Sequence, residues 1–132
     1  MTKTYEIDRS RWINGAVAAR MRNPLTQLYD SNHGRYCCLG LILEQCGYRK
    51  SELDGVGTPE KVDDQSMVPA WMTKKNLYGD WLDTDAVREM VNVNDTQNLT
   101  EAERERRLTE LAQSAGVELR FVGELFPEKV DE

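Results

Sequence analysis

Arg35-Tyr36-Cys37-Cys38-Leu39-Gly40-Leu41-Ile42-Leu43-Glu44-Gln45-Cys46-Gly47 is the stretch on which the fold turns. From Cys38 it is almost wholly apolar for two helical turns, and it stops at Gly47, a residue that closes helices at positive φ. A helix with so little polar surface has to be buried. The segment 38–46 is therefore expected at the centre of the molecule. Just upstream, Asp30-Ser31-Asn32-His33-Gly34 is a run of turn formers. With residues 25–29 before it and 35–38 after it, the run predicts a short β-hairpin leading directly into the central helix.

Toward the N-terminus, residues 4–7 read as a short strand and Asp8 as a helix N-cap. Trp12, Ile13, Ala16, Val17 and Met21 recur at helical spacing. They predict a helix over 9–22 with one apolar stripe, ended by Asn23-Pro24. Toward the C-terminus, Gly55, Gly57, Pro59 and Pro69 mark 51–69 as the longest loop, and the fold of 51–82 stays open. Asp83 or Thr84 can cap a helix to about Val91, which Asn92-Val93-Asn94-Asp95 would interrupt. Thr100-Glu101-Ala102-Glu103 is a capping box. The helix it starts buries Leu108, Leu111, Ala112 and Ala115 and ends at Gly116. Residues 117–126 fit a strand or a helix. Residues 1–126 then form one domain and 127–132 an acidic tail. The fold class is α+β, mostly helical: three to four helices with a short β-hairpin and a central buried helix.

The chain has 132 residues, 39% hydrophobic and 30% charged, which fits one globular domain able to bury a core. No apolar run approaches a membrane span, and Met1 to Glu6 lacks the apolar core of a signal peptide. A cytoplasmic protein is the expectation, and three cysteines, an odd number with two adjacent, fit that setting. The net charge of −6 is unevenly spread. Residues 1–50 hold eight basic and four acidic side chains, and the remainder is acidic. Opposite halves of this kind attract each other; a basic patch also suits an anionic ligand.

Cys37 and Cys38 at a strand-to-helix junction are the sharpest candidates for chemistry, because a helix N-terminus supports a thiolate. The one histidine, His33, lies upstream in the turn with no evident group to orient it, so the nucleophile–base pairing is incomplete. A cysteine-dependent enzyme is accordingly the alternative reading. His33, Cys37, Cys38 and Cys46 lack zinc-site spacing, and no phosphate-cradling or dinucleotide motif is present, so neither metal nor cofactor is expected. For binding, Arg11, Arg20 and Arg22 on the first helix are the candidates for an anion or an acidic partner. Trp71, Tyr78 and Trp81 are the candidate aromatic contacts.

Trp12, the Gly34-Arg35-Tyr36-Cys37-Cys38-Leu39-Gly40-Leu41 segment, Trp71 or Trp81, and Asn94-Asp95 together resemble a group of small uncharacterised proteins common in bacteriophages and prophages. In that group an early tryptophan helix precedes Gly-x-aromatic-Cys-Cys-Leu-Gly, and Asn-Asp precedes a last helix. The resemblance covers about residues 9–115; after Asp95 this chain is more charged than the group. It implies a phage setting in a bacterial host cytoplasm and no particular activity. The expected function is a non-catalytic phage accessory protein that binds a host protein or sequesters a small anionic ligand; countering a host defence is one form such binding takes. Oligomerisation is compatible with this reading, and direct nucleic-acid binding is not expected. An acidic nucleic-acid mimic is a third reading.

Overall fold

The computed structural model describes residues 2–20 and 27–124. In chain order the elements are β1 (Lys3–Asp8), a 3₁₀ turn (Arg9–Arg11), α1 (Gly15–Arg20), α2 (Cys38–Gln45), α3 (Lys50–Leu53), a second 3₁₀ turn (Pro59–Lys61), β2 (Thr73–Lys75), β3 (Trp81–Asp83), α4 (Asp85–Asp95), α5 (Glu101–Ser114) and β4 (Val117–Val122). The fold is a mostly helical α+β arrangement. β1 and β4 pair in parallel, with Tyr5 opposite Leu119, and β2 and β3 pair antiparallel.

The central helix falls where its apolar sequence puts it. Every residue of α2 from Cys38 to Leu43 is buried, and Gly47 follows at φ 116°. Its first turn lies so close to the preceding chain that a Cβ on Gly40 would sit 1.7 Å from the Leu28 carbonyl oxygen. Gly40 is there because no side chain fits. Gly15 plays the same part at the start of α1, where a Cβ would come within 2.2 Å of the Thr96 carbonyl oxygen.

The first helix is broken where a continuous one over 9–22 was expected. Asp8 does cap, accepting from the Ser10 amide at 3.0 Å, but the turn it starts ends at Arg11. The backbone then runs extended beside Tyr36: Tyr36 N–H donates to the Arg11 carbonyl and Ile13 N–H donates to the Tyr36 carbonyl, both at 2.7 Å. Asn14 restarts the helix, its Oδ1 accepting from the amides of Ala16 and Val17. Two bonds to a neighbouring segment and a second cap outweigh the helical periodicity, which here records burial on a bent path. Arg9 and Arg11 therefore share no straight helix face with Arg20.

The hairpin is also elsewhere. The Asp30–Gly34 turn forms, but its flanks meet in a lone antiparallel bridge, Asp30 with Arg35. Tyr29 and Tyr36 are drawn instead to Asp54 and Trp12. The hairpin of the fold is β2–β3, inside the region left open by sequence. The loop over 51–69 holds α3 and the second 3₁₀ turn. The buried Asp83 carboxylate tethers that turn by accepting from the Glu60 amide at 2.9 Å.

α4 runs through Asn92-Val93-Asn94-Asp95 without interruption, because the Asn94 side chain is satisfied sideways in the core. α5 is capped by Thr100, which accepts from the Glu103 amide, and ends before Gly116 at φ 87°. Residues 117–122 are strand. Along the outer edge of β1 the Gln45 side chain stands in for a neighbouring strand. Its Oε1 accepts from Glu6 N–H at 2.9 Å and its Nε2 donates to the Glu6 carbonyl at 2.7 Å. The expected helix end at Asn23-Pro24, the strand start at Leu25 and the 127–132 tail lie outside the described residues.

Candidate functional site

Cys37 and Cys38 form a packing junction. Both side chains are buried, and burial pushes the Cys37 thiol up to about 12 and the Cys38 thiol well above its ordinary value. The Leu39 and Gly40 amides at the N-terminus of α2 favour a Cys37 thiolate, but burial outweighs them; the Cys38 amide donates to Asn94 Oδ1 at 3.2 Å. The same oxygen accepts from Trp12 Nε1 at 2.6 Å, and Asn94 Nδ2 donates to the Ile13 carbonyl at 3.1 Å. Trp12, the Cys-Cys-Leu-Gly segment and Asn94 thus meet in one buried knot. A thiol held protonated and enclosed is a poor nucleophile.

His33 has an orienting partner after all, its Nδ1 lying 2.8 Å from Asp30 Oδ2. Asp30 is buried and His33 is on the surface of the turn. This pair stabilises the turn. Among the described residues, no group of three or more His, Cys, Asp or Glu side chains is placed to hold a metal ion.

Of the candidate arginines, Arg11 is the one whose side chain is described. Arg11 is committed to Glu44 at 2.6 Å and lies over the Tyr36 ring, 4.9 Å from its centre. Tyr36 donates to the same Glu44 oxygen at 2.8 Å. Partial burial alone would raise the Glu44 carboxyl; the hydrogen bonds from Arg11 and Tyr36 outweigh it and hold the group below its ordinary value. Arg9 makes a two-point bridge to Glu105, at 2.7 and 2.8 Å. Arg20 ends α1, and Arg22 lies outside the described residues. Of these two bridges, Arg9–Glu105 joins the basic N-terminal part to the acidic C-terminal part, whereas Arg11–Glu44 lies within the N-terminal part.

The three aromatic candidates separate as well. Trp71 is half-buried, its ring 6.4 Å from that of Tyr5. Trp81 lies on β3 under Lys75, whose Nζ is 5.3 Å from the ring centre. Only Tyr78 is fully presented, and it brings a neighbour that sequence reasoning missed. Leu77 and Tyr78 form the tip of the β2–β3 hairpin and are 101% and 89% exposed. Leu82 on the same hairpin is also exposed, so three of the four large exposed apolar side chains among the described residues fall within six positions.

The tip is built, not loose. Asn76 Oδ1 accepts from the amides of Tyr78 and Asp80 at 2.8 and 3.0 Å. The Asn76 amide donates to the Asp80 carbonyl, and the Gly79 amide, at φ 86°, donates back to Asn76. Asn76-Leu77-Tyr78-Gly79-Asp80 carried this signal in sequence: a leucine and a tyrosine inside a turn cannot both be core. Lys74 and Lys75 stand exposed on the strand before the tip. Two grooves lie elsewhere on the surface. One of about 490 Å³ between α4 and α5 has Val93 and Leu111 on its floor and the Arg106, Arg107 and Glu110 side chains at its rim. The other, about 400 Å³, is lined by Glu52, Asp54, Asp63 and Asp64. Among the described residues, no helix is long and apolar enough to cross a membrane.

No family model, curated protein or solved structure matches the chain.

Proposed function

We propose that the protein is a non-catalytic accessory factor that binds another protein through the β2–β3 hairpin tip. The observation that carries this reading is the rigid display of Leu77 and Tyr78 to solvent. A hairpin with nothing to bind gains nothing from two large apolar side chains at its tip. A fixed loop loses little entropy on binding, and tyrosine is among the residue types that dominate interface energetics. The fitting partner has an apolar pocket for the two side chains and acidic residues at its border to meet Lys74 and Lys75. The resemblance of Gly34 to Leu41 to phage proteins favours a bacterial host protein as that partner. A protein partner is favoured over a small anion because Arg9 and Arg11 are engaged by Glu105 and Glu44.

The test is capture from a bacterial lysate by the wild-type chain, by a Leu77→Asp/Tyr78→Ala variant and by a Glu89→Lys variant. Glu89 is exposed on α4, away from the hairpin. A partner held by the wild type and by Glu89→Lys but lost with the tip variant supports the assignment. The captured protein is then purified and titrated by calorimetry. Equal capture by the tip variant removes the hairpin from the interface.

A further inference from the structure

Among the described residues, the β1–β4 sheet is closed on one side and open on the other. In a β-ladder each residue points its N–H and C=O to the same side, and successive residues alternate. Glu6 points both groups outward to Gln45, so Tyr5 and Ile7 point theirs at β4. Tyr5 stands opposite Leu119 in a parallel register, where a residue bonds to the two positions flanking its opposite number. The backbone groups of Glu118 and Arg120 are thereby used by β1. Those of Val117, Leu119 and Phe121 point away from it, and no backbone or side-chain partner meets them among the described residues. Gly123 follows β4 directly. That residue, at φ 75°, turns toward Asp8 and Arg9, where the Arg9 guanidinium holds its carbonyl at 2.9 Å.

We propose that this edge pairs antiparallel with β4 of a second copy of the chain, centred on Leu119. The sequence Val117-Glu118-Leu119-Arg120-Phe121 is self-complementary about that centre. Leu119 faces Leu119 of the other copy, and Val117 faces Phe121. Each of these pairs brings outward N–H and C=O groups together, completing the ladder. The intervening positions put Glu118 opposite Arg120 on both sides of the two-fold axis, and both are exposed. Opposite charges directly across such a pair are favourable and like charges are not. Slipping to either adjacent register that keeps the outward groups facing sets Glu118 against Glu118 or Arg120 against Arg120, so charge selects the register. Arg120 already touches Glu6 at 2.8 Å, but both side chains are more than half exposed, and such a pair is readily shared.

Sedimentation equilibrium on the full chain, from about 1 μM to about 1 mM, spans the range in which so small an interface associates. The wild type is expected to dimerise. Arg120→Glu and Glu118→Arg should each weaken the dimer about tenfold or more, and the double swap Glu118→Arg/Arg120→Glu should restore it. Circular dichroism checks that each variant is folded; the double swap keeps the wild-type composition and net charge. A wild type that stays monomeric throughout overturns the proposal and leaves the edge to an extended segment of another protein. A dimer indifferent to the single swaps, or not restored by the double, also overturns it.

Discussion

Asn94 accepts a hydrogen bond from the Trp12 indole at 2.6 Å across 82 positions of chain, and with the same oxygen it caps the central helix at Cys38. One amide therefore joins the start of the chain, the middle and the fourth helix. Asn94→Ala would leave the indole N–H, the Cys38 amide and the Ile13 carbonyl buried without partners. A loss of about 3 to 4 kcal/mol is expected. Trp12→Phe removes one donor and leaves the other two bonds, so it should cost less. Urea unfolding of both single variants and the double gives the coupling directly; additive losses would mean that the two side chains do not share the bond.

Gly40 has a sharper tolerance. A methyl group there meets the Leu28 carbonyl oxygen at 1.7 Å, and backbone on both sides of the contact would have to move. Gly40→Ala is expected to destabilise by about 3 kcal/mol or more, although alanine is the better helix former. A thermal melt equal to the wild type would show that α2 can slide away from residue 28.

The buried thiols set an alkaline limit. Cys37 and Cys38 keep their protons in the fold because burial disfavours the thiolate, whereas the unfolded chain releases them near the ordinary thiol value of 9.0. The unfolded state then binds fewer protons than the native state, so stability falls as pH rises. The contribution is complete below about pH 9 and drains away above it, by about 1.4 kcal/mol per pH unit for each thiol. Tyr36, raised to about 12 by burial and by its bond to Glu44, adds to the decline above its ordinary 10.0. Cys38→Ala should flatten the slope of unfolding free energy against pH by one thiol's share. In the native protein at neutral pH, iodoacetamide should leave Cys37 and Cys38 unmodified until urea is added; rapid labelling would restore the case for a thiol enzyme.

The hairpin tip should be energetically silent in the isolated chain. Leu77→Asp and Tyr78→Ala touch no core contact, so each is expected to change stability by less than about 0.5 kcal/mol. Chemical denaturation of the same proteins used for capture checks this, and separates loss of binding from loss of fold.

Those four sites mark how far the sequence could be read. The central helix was legible because an unbroken apolar run ending in glycine has one sensible place to go. The Thr100 helix was legible because its cap and stripe are local. The broken first helix was not, since the bonds that stop it at Arg11 come from Tyr36, 25 positions away. Asn94 looked like a helix breaker because nothing local reveals a partner at Trp12. The β2–β3 hairpin is only three residues a side, too short for alternation to register. At the candidate site, Tyr78 was visible and Leu77 was not. Arg11 looked available because its carboxylate partner, Glu44, lies 33 positions away in sequence.

Gln45 has a consequence for how many copies can join. By hydrogen-bonding Glu6 as a neighbouring strand would, it terminates the sheet on the β1 side with a single side chain. Two molecules meeting at β4 would make a four-stranded sheet with a glutamine across the middle of each outer strand, which disfavours the addition of a third. Without that seal the same geometry would propagate head to head and tail to tail into a filament. The glutamine makes a sticky edge countable.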